Sequence, residues 1–516
     1  YRRALELALR HRWTVVGVGA VVAAASGVLF SVVKSELAPI EDRGVVFGIV
    51  SAPEGATLNY TLDSMLGIEQ FYAAIPEAAT AQVTVGFPTV TDGTAILRLT
   101  PWEERTRRQQ QIAQELQPKF ASLPGVRAFP TNPPSLGQSA RSKPVEFIIM
   151  SQASYPELAK LVGVFTNALR DYPGLQNIDT DLRLNTPELR VHVDRDKMAD
   201  VGASVEVVGR TLESMLGGRQ VTRYKDQGEQ YDVIVQVVQG DRATPTDISG
   251  IYVRARDGSM VQLDNLLSVR ESVSPQSLNH FNRLRAVKVD AAVAPGYALG
   301  EVLDHMHRVA RDVLPNTVIT DLDGQSREFR DSSGSIYLVF AMALAFIYLV
   351  LAAQFESWRN PFIIMLSVPL SMTGALLALW LTGGTLSIYS QIGLITLVGL
   401  ITKHGILIVE FANQLRDQGK AMHEAVVEAS VLRLRPILMT TGAMVLGTVP
   451  LALAQGAGAE SRQQIGWVLV GGLMLGTLLT LFVVPVAYSM IAAARPQGQR
   501  TGASHTGPAV VPPASE

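Results

Sequence analysis

A polytopic α-helical membrane protein with six transmembrane helices and a large α/β part outside the bilayer is the fold class this sequence predicts. Three observations predict it. The 516 residues are 47% hydrophobic yet 17% charged, too apolar for an average soluble chain and too charged to lie wholly in lipid. The apolar residues gather into six runs, at about 13–33, 335–353, 362–382, 391–412, 437–455 and 466–493, each near the roughly 20 residues a bilayer requires. A polar stretch of some 300 residues separates the first run from the second, while the other five follow closely.

Orientation follows from lysine and arginine near the ends of the runs. Arg2, Arg3, Arg10 and Arg12 precede the first, Arg359 follows the second, and Arg416, Lys420, Arg433 and Arg435 follow the fourth. Arg495 and Arg500 follow the sixth, whereas the opposite loops, 383–387 and 455–462, hold only Arg462. Both ends of the chain are therefore expected in the cytoplasm of a bacterium, with the large loop in the periplasm. The chain begins at Tyr1 without a methionine or a cleavable signal pattern, and we expect it to be a portion of a longer polypeptide. Residues 495–516, rich in Gly, Pro, Ser and Ala, read as a disordered cytoplasmic tail.

The large loop alternates strand and helix patterns. Val45–Val50 reads as a strand, Tyr60–Ala73 as an amphipathic helix and Ala95–Leu99 as a strand. The pattern returns in Val145–Met150, Tyr155–Arg170 and Glu188–Val193, and again in Arg285–Asp290, Leu299–Leu314 and Val318–Leu322. Such units predict small ferredoxin-like subdomains. Between the second and third units the character changes: 220–224 and 231–237 alternate like a hairpin and 250–254 adds a strand.

The functional signal is Lys403, in the middle of the fourth run. A charge at the bilayer centre costs about 2.5–3.5 kcal/mol on insertion scales, so such a group is kept where it has a partner, usually on an ion or proton path. It lies about eleven residues from either end, too deep for easy snorkelling to the interface. Glu410 sits two helical turns further along the same face, and it reads as a cytoplasmic cap meeting Arg416 or as a relay member. His404 points about 100° away from Lys403 and reads as a packing or interhelical hydrogen-bonding residue. Gly472 and Gly476 read as a close-packing motif. Other chemistry is excluded or unsupported. There is no cysteine, so no disulfide or thiolate site; net charge is −2, so nothing points to nucleic acid. The loop has no phosphate-binding glycine loop, no Ser/His/Asp arrangement and no metal-ligand cluster.

Several local motifs occur in order along the chain. They are Leu37-Ala-Pro-Ile-Glu-Asp-Arg-Gly44, Pro53-Glu-Gly-Ala-Thr57, Phe355-Glu-Ser-Trp-Arg-Asn-Pro361, Gly399-Leu-Ile-Thr-Lys403-His-Gly-Ile-Leu-Ile-Val-Glu410 and Arg433-Leu-Arg-Pro-Ile-Leu-Met-Thr440. Together, up to about Ala494, they resemble the C-terminal half of a resistance–nodulation–division (RND) efflux transporter of the hydrophobe/amphiphile multidrug branch. The resemblance implies a domain plan: 1–34 for the cytoplasmic start and first helix; 35–140 for a first porter-like subdomain; 141–204 with 276–328 for a second; 205–275 for an inserted docking-like subdomain; 329–494 for a five-helix membrane bundle. It implies an inner-membrane secondary transporter, not an enzyme, driven by the proton gradient without a cofactor. Its partners would be the N-terminal half of the same transporter, two further copies in a homotrimer, a periplasmic adaptor, an outer-membrane channel, membrane lipid and amphiphilic small molecules.

The resemblance also assigns residues. Lys403 matches an intramembrane lysine that pairs with two aspartates of the other half, and Arg433 and Thr440 match further members of that proton relay. Read alone, Arg433 also fits a cytoplasmic anchor, and the Thr440 hydroxyl fits a bond back to its own helix. None of the six runs contains an aspartate, so the partner carboxylates are expected outside this chain. Phe87, in Val85-Gly-Phe-Pro-Thr89, matches a loop that lines an aromatic substrate pocket, although two other positions of that cluster are Gln82 and Ile96. Read alone, Phe87 fits a core aromatic equally well. A heavy-metal-exporting relative would carry a methionine cluster, and Met150 has no second methionine at a matching strand position. A protein-secretion accessory sharing the RND architecture is the remaining alternative.

Overall fold

The computed structural model describes residues 1–492 except 137, 138, 140, 276 and 295, and excepting the side chains of 333 and 335–337; the tail from 495 lies outside the described residues. Among the described residues six helices are long and apolar enough to cross a membrane: Arg12–Val32, Leu338–Phe355, Arg359–Thr382, Ile388–Asp417, Met422–Ala452 and Ala459–Ile491, here the first to sixth spans. Most of these helices outrun the apolar runs, because backbone hydrogen bonding continues into their polar ends; the second belongs to a 32-residue helix that starts at Gly324. A left-handed Gly383 closes the third span, and the Ser387 hydroxyl accepts the Ser390 amide to cap the fourth.

Burial sorts the spans into two groups. In the third, fourth and sixth, 61%, 56% and 61% of the most apolar stretch is buried; in the first, second and fifth the values are 6%, 6% and 11%. The first group is the packed centre, and glycines bring its backbones together. A Cβ on Gly374 of the third span would lie 2.5 Å from the Gly471 carbonyl oxygen of the sixth, and one on Gly472 would lie 2.2 Å from Leu397 of the fourth. In lipid, where apolar side chains gain little by meeting each other, such close approach is a main source of helix association. A short helix, Arg2–Arg10, packs Leu5 and Leu9 into the same core, and the Tyr1 hydroxyl donates to the Leu481 carbonyl at 2.7 Å.

Among the described residues outside the spans, the two largest sheets are each backed by two helices. The first runs strand, helix, strand, strand, helix, strand: Val45–Ser51, Leu58–Ala73, Ala78–Val85, Asp92–Leu99, Gln109–Ala121 and Arg127–Thr131. Its spatial order is second, third, first, fourth, all antiparallel, which is the ferredoxin-like arrangement. Met65, Ile68, Tyr72, Leu97, Leu116 and Phe120 fill the layer between sheet and helices. The second sheet joins Val145–Ser151, Leu175–Thr180, His280–Phe281, Leu284–Val293 and Ile319–Leu322, over a core with Phe147, Phe165, Val302 and Met306.

One strand pairs differently from its expected place. The 188–193 segment does not close the second strand–helix–strand unit; Leu175–Thr180 does, and Thr186–Val193 pairs antiparallel with Leu267–Ser274 instead. Strand–helix spacing is local and shows that a strand exists, whereas its partner is set by a segment 80 residues away. That pair is the root of a middle segment with its own small core, including Met198, Val208, Ile248 and Leu263. Its hairpin, Arg219–Asp226 with Glu229–Val235, turns on Gln227 and Gly228, both at positive φ as a type I′ turn requires.

The sheets meet the spans through a polar joint. Asp42 and Arg105 form an ion pair at 3.1 Å with side chains 0% and 3% exposed. Asp42 also accepts the Gln109 amide at 2.8 Å, and its own amide meets Glu460 of the sixth helix at 3.4 Å. Glu41 accepts from Ser461. The neighbouring strand-like segment 34–37 exchanges backbone hydrogen bonds with 386–388, between the third and fourth spans.

Candidate functional site

The fourth span has two faces of opposite character. Gly393, Leu397, Ile401, His404, Ile408 and Ala412 are buried. Ile392, Thr396, Gly399, Lys403, Glu410 and Gln414 are exposed and recur at helical spacing, forming a bare stripe down a helix that is otherwise central. Lys403 lies on that stripe and forms no hydrogen bond or ion pair with any described residue. Its partner, if the charge is to be held in lipid, has to come from a surface laid over the stripe.

His404, one residue on, faces inward and is fully buried. Its Nε2 lies 3.1 Å from the Thr441 hydroxyl of the fifth span and its Nδ1 3.3 Å from the Thr477 hydroxyl of the sixth; the two hydroxyls are 3.4 Å apart. A neutral imidazole donates from one nitrogen and accepts at the other, so the ring ties three spans together without a net charge. The interhelical hydrogen bond expected of His404 is present.

Arg433 and Thr440 are both half-buried on the fifth span. The Arg433 guanidinium lies 4.5 Å over the Phe411 ring of the fourth span, and its Nε is buried with no acceptor among the described residues. The Thr440 hydroxyl donates to the Ile437 carbonyl at 3.1 Å, within its own helix. Glu410 is exposed and receives the Gln414 amide at 3.5 Å. Arg416 donates to the Tyr488 hydroxyl at 3.1 Å, which donates to Asn413 at 2.6 Å. The Phe411 ring under Arg433 was not anticipated; a basic residue and an aromatic on different helices leave no trace in sequence spacing.

Phe87 is 70% exposed, on the loop between Ala78–Val85 and Asp92–Leu99, so it is not a core aromatic. Arg141 donates to its carbonyl at 2.8 Å. Gln82 and Ile96 are register partners, and Ile96 faces Phe47 in the next strand, so these three share a row across the sheet. Met150 packs with Ile148, Ala286, Phe281 and Leu284, a cluster with no second methionine.

A feature that sequence reasoning missed is the cleft between the two sheets. It has a volume of about 400 Å³ and is lined by Pro53, Glu54, Arg127, Arg183 and Asn185 among others. Asp179 bridges it: Arg127 of the first sheet reaches one carboxylate oxygen at 2.6 Å, and Arg183 reaches the other at 2.7 Å. Arg183 also meets Glu54 at 3.4 Å, and the second oxygen of Glu54 is buried without a donor among the described residues. Burial works against the Asp179 charge, but the two guanidiniums outweigh it and hold the carboxyl below the usual range. The glutamate of the 53–57 motif pointed here only in retrospect.

Six membrane-length helices, of which three pack around glycines, together with antiparallel sheets of ferredoxin-like order, define a multi-pass membrane protein with the RND transporter architecture. The sequence profile of the AcrB/AcrD/AcrF family matches residues 1–492, and the chain belongs to that family. It is 37% identical over 499 residues to an uncharacterized transporter of Haemophilus influenzae, covering 95% of this chain and 48% of that protein. It is 30% identical over 506 residues to the toluene efflux pump membrane transporter TtgB of Pseudomonas putida, covering 96% and 48%. It is 30% identical over 478 residues to the antibiotic efflux pump membrane transporter ArpB of the same species, covering 90% and 45%. The chain spans about half the length of the curated relatives it matches.

Proposed function

We propose that the protein carrying this chain is a proton-driven inner-membrane pump that exports amphiphilic or lipophilic compounds by proton/substrate antiport. The observation that carries this reading is Lys403, a charged group on the bare stripe of a central span with no partner among the described residues. Carboxylates of the other half of the transporter cover the stripe and pair with it. Proton uptake by those carboxylates removes the attraction, so Lys403 switches the bundle between two packings. Arg433 and Thr440 belong to the same relay, Thr440 after turning its hydroxyl from Ile437. Both chain ends lie in the cytoplasm and the sheets in the periplasm. There the working unit is a homotrimer joined to an adaptor and an outer-membrane channel.

The substrate class rests on the activities for which the relatives are named, toluene and antibiotic efflux, and on the exposed Phe87 ring. The cleft bridged by Asp179 is the second place where a substrate contacts the sheets. The test is Lys403→Ala in the intact protein, expressed in a strain lacking its own pumps. Accumulation of a lipophilic dye is expected to rise to the level of pump-free cells while the amount of protein stays at wild type. Dye export at the wild-type rate would overturn the relay assignment.

A further inference from the structure

A second cleft, of about 530 Å³, lies where the sheets meet the outer ends of the fifth and sixth spans. One wall is the turn at Trp102 and the segment through Arg108; the other is Leu453, Glu460 and Trp467. At the outer ends of the spans it stands at headgroup level, where tryptophan rings collect. The chain has five tryptophans, and two of them line this one cleft.

The donors here are not all used. Arg105 is committed to Asp42, but its Nε is buried without an acceptor among the described residues, and so is the Trp102 indole Nε1. Arg107, also on the wall, is committed to Glu77 and Glu115. Arg108 is exposed and forms no ion pair with a described residue. Buried donors are nearly always satisfied, so two orphans in one wall mark a place for an acceptor that the chain itself does not supply. Below the cleft the surface turns apolar. Leu446 of the fifth span precedes Leu453, the residue that ends that helix, and Met474 lies two turns from Trp467 on the sixth; Leu446, Leu453 and Met474 are all exposed.

We propose that this cleft binds a membrane phospholipid by its phosphate. The phosphate oxygens take Arg108 and the indole side of the wall, since guanidinium and phosphate match in geometry and charge. Glu460, on the opposite wall, faces the polar end of the headgroup, and the acyl chains run down the Leu446–Leu453 and Trp467–Met474 stripes. The site ties one lipid to the joint between the sheets and the spans. It does not depend on the proton relay.

The experiment is native mass spectrometry of the intact protein in detergent, titrated with dioleoyl-phosphatidylglycerol. Arg108→Gln and Trp102→Phe, which keeps an aromatic ring and removes the donor, are each expected to weaken the tightest lipid adduct about tenfold, the scale of one lost charge-assisted contact. Both variants are expected to keep the wild-type melting temperature. Arg462→Gln, an exposed arginine outside the cleft, is expected to leave the adduct unchanged, and excess inorganic phosphate is expected not to displace it. Wild-type adduct strength in both cleft variants would overturn the proposal, as would an equal loss in Arg462→Gln. Complete displacement by phosphate would also overturn it, reassigning the cleft to a free anion.

Discussion

Lys403 and His404 are neighbours in the chain, about 100° apart around one helix, and the first is exposed while the second is buried. His404 finds both its hydrogen-bond partners inside this chain, on the fifth and sixth spans. Lys403 finds none among the described residues. The packed face is a structural element complete in itself, and the bare face is one that needs something from outside. A polar group within a span is thus not one kind of feature: its meaning depends on the side of the helix to which it is turned.

That contrast can be broken from the packed side first, where the largest loss of stability is expected. Gly374→Val places carbon where the Gly471 carbonyl already stands. Overpacking of this kind typically costs about 1–3 kcal/mol. Thermal unfolding in detergent should show a clear drop in melting temperature; an unchanged value would mean that the third and sixth spans do not approach so closely.

His404→Ala follows, leaving two threonine hydroxyls in the bundle without their bridge. The expected cost is about 1–3 kcal/mol for lost buried hydrogen bonds. Lys403→Ala, one position away, should leave the melting temperature where it was while stopping export. Equal destabilisation by both would erase the distinction between the faces.

Outside the membrane the effects are smaller. Asp179 sits below its ordinary pKa in the fold, so its contribution is present above the unfolded value of about 3.9 and lost as pH falls through the folded one. The bridge across the cleft should therefore hold between pH 8 and pH 5. The protection factors of the amides of residues 51, 52, 54 and 125–127, which correct exchange for its intrinsic dependence on pH, are expected to be flat over that range in the wild type and lower throughout in Asp179→Asn. A loss of wild-type protection between pH 8 and pH 5 would argue against the two-arginine bridge.

The smallest shift is expected at Glu36. Burial pushes its carboxyl up, and hydrogen bonds from Thr385 and Gln464 offset this only in part. The sign is the reverse of Asp179: the favourable contribution is present below the unfolded value of about 4.3 and lost as pH rises through the folded one. Glu36→Gln should melt slightly higher than wild type at pH 8, and the gap should close toward pH 4. A lower melting temperature at pH 8 would show that the charge, rather than the hydrogen bonds, holds this joint.

Much of the fold is legible in the sequence. Length and apolarity mark a span without reference to anything else, because lipid demands about 20 apolar residues and internal hydrogen bonding wherever the chain crosses. Strand and helix periods in Val45–Val50, Tyr155–Arg170 and Leu299–Leu314 are equally local. Lys403 stood out for the same reason: its cost is set by the apolar run around it. Arg433, Thr440 and Phe87 were less legible, since only their order among family-like motifs singled them out.

The sequence by itself determined how many helices are long and apolar enough to cross, which segments extend or coil, and that one of the spans carries a charge at mid-depth. Only the tertiary structure decided which way that charge faces, that His404 closes onto Thr441 and Thr477, and that 186–193 pairs with 267–274. It alone joined Asp179 to Arg127 and Arg183, and set Trp102 against the fifth and sixth spans. The division has one physical cause: periodicity and hydropathy are sums over neighbours in the chain, whereas a partner is chosen by packing among segments tens to hundreds of residues apart.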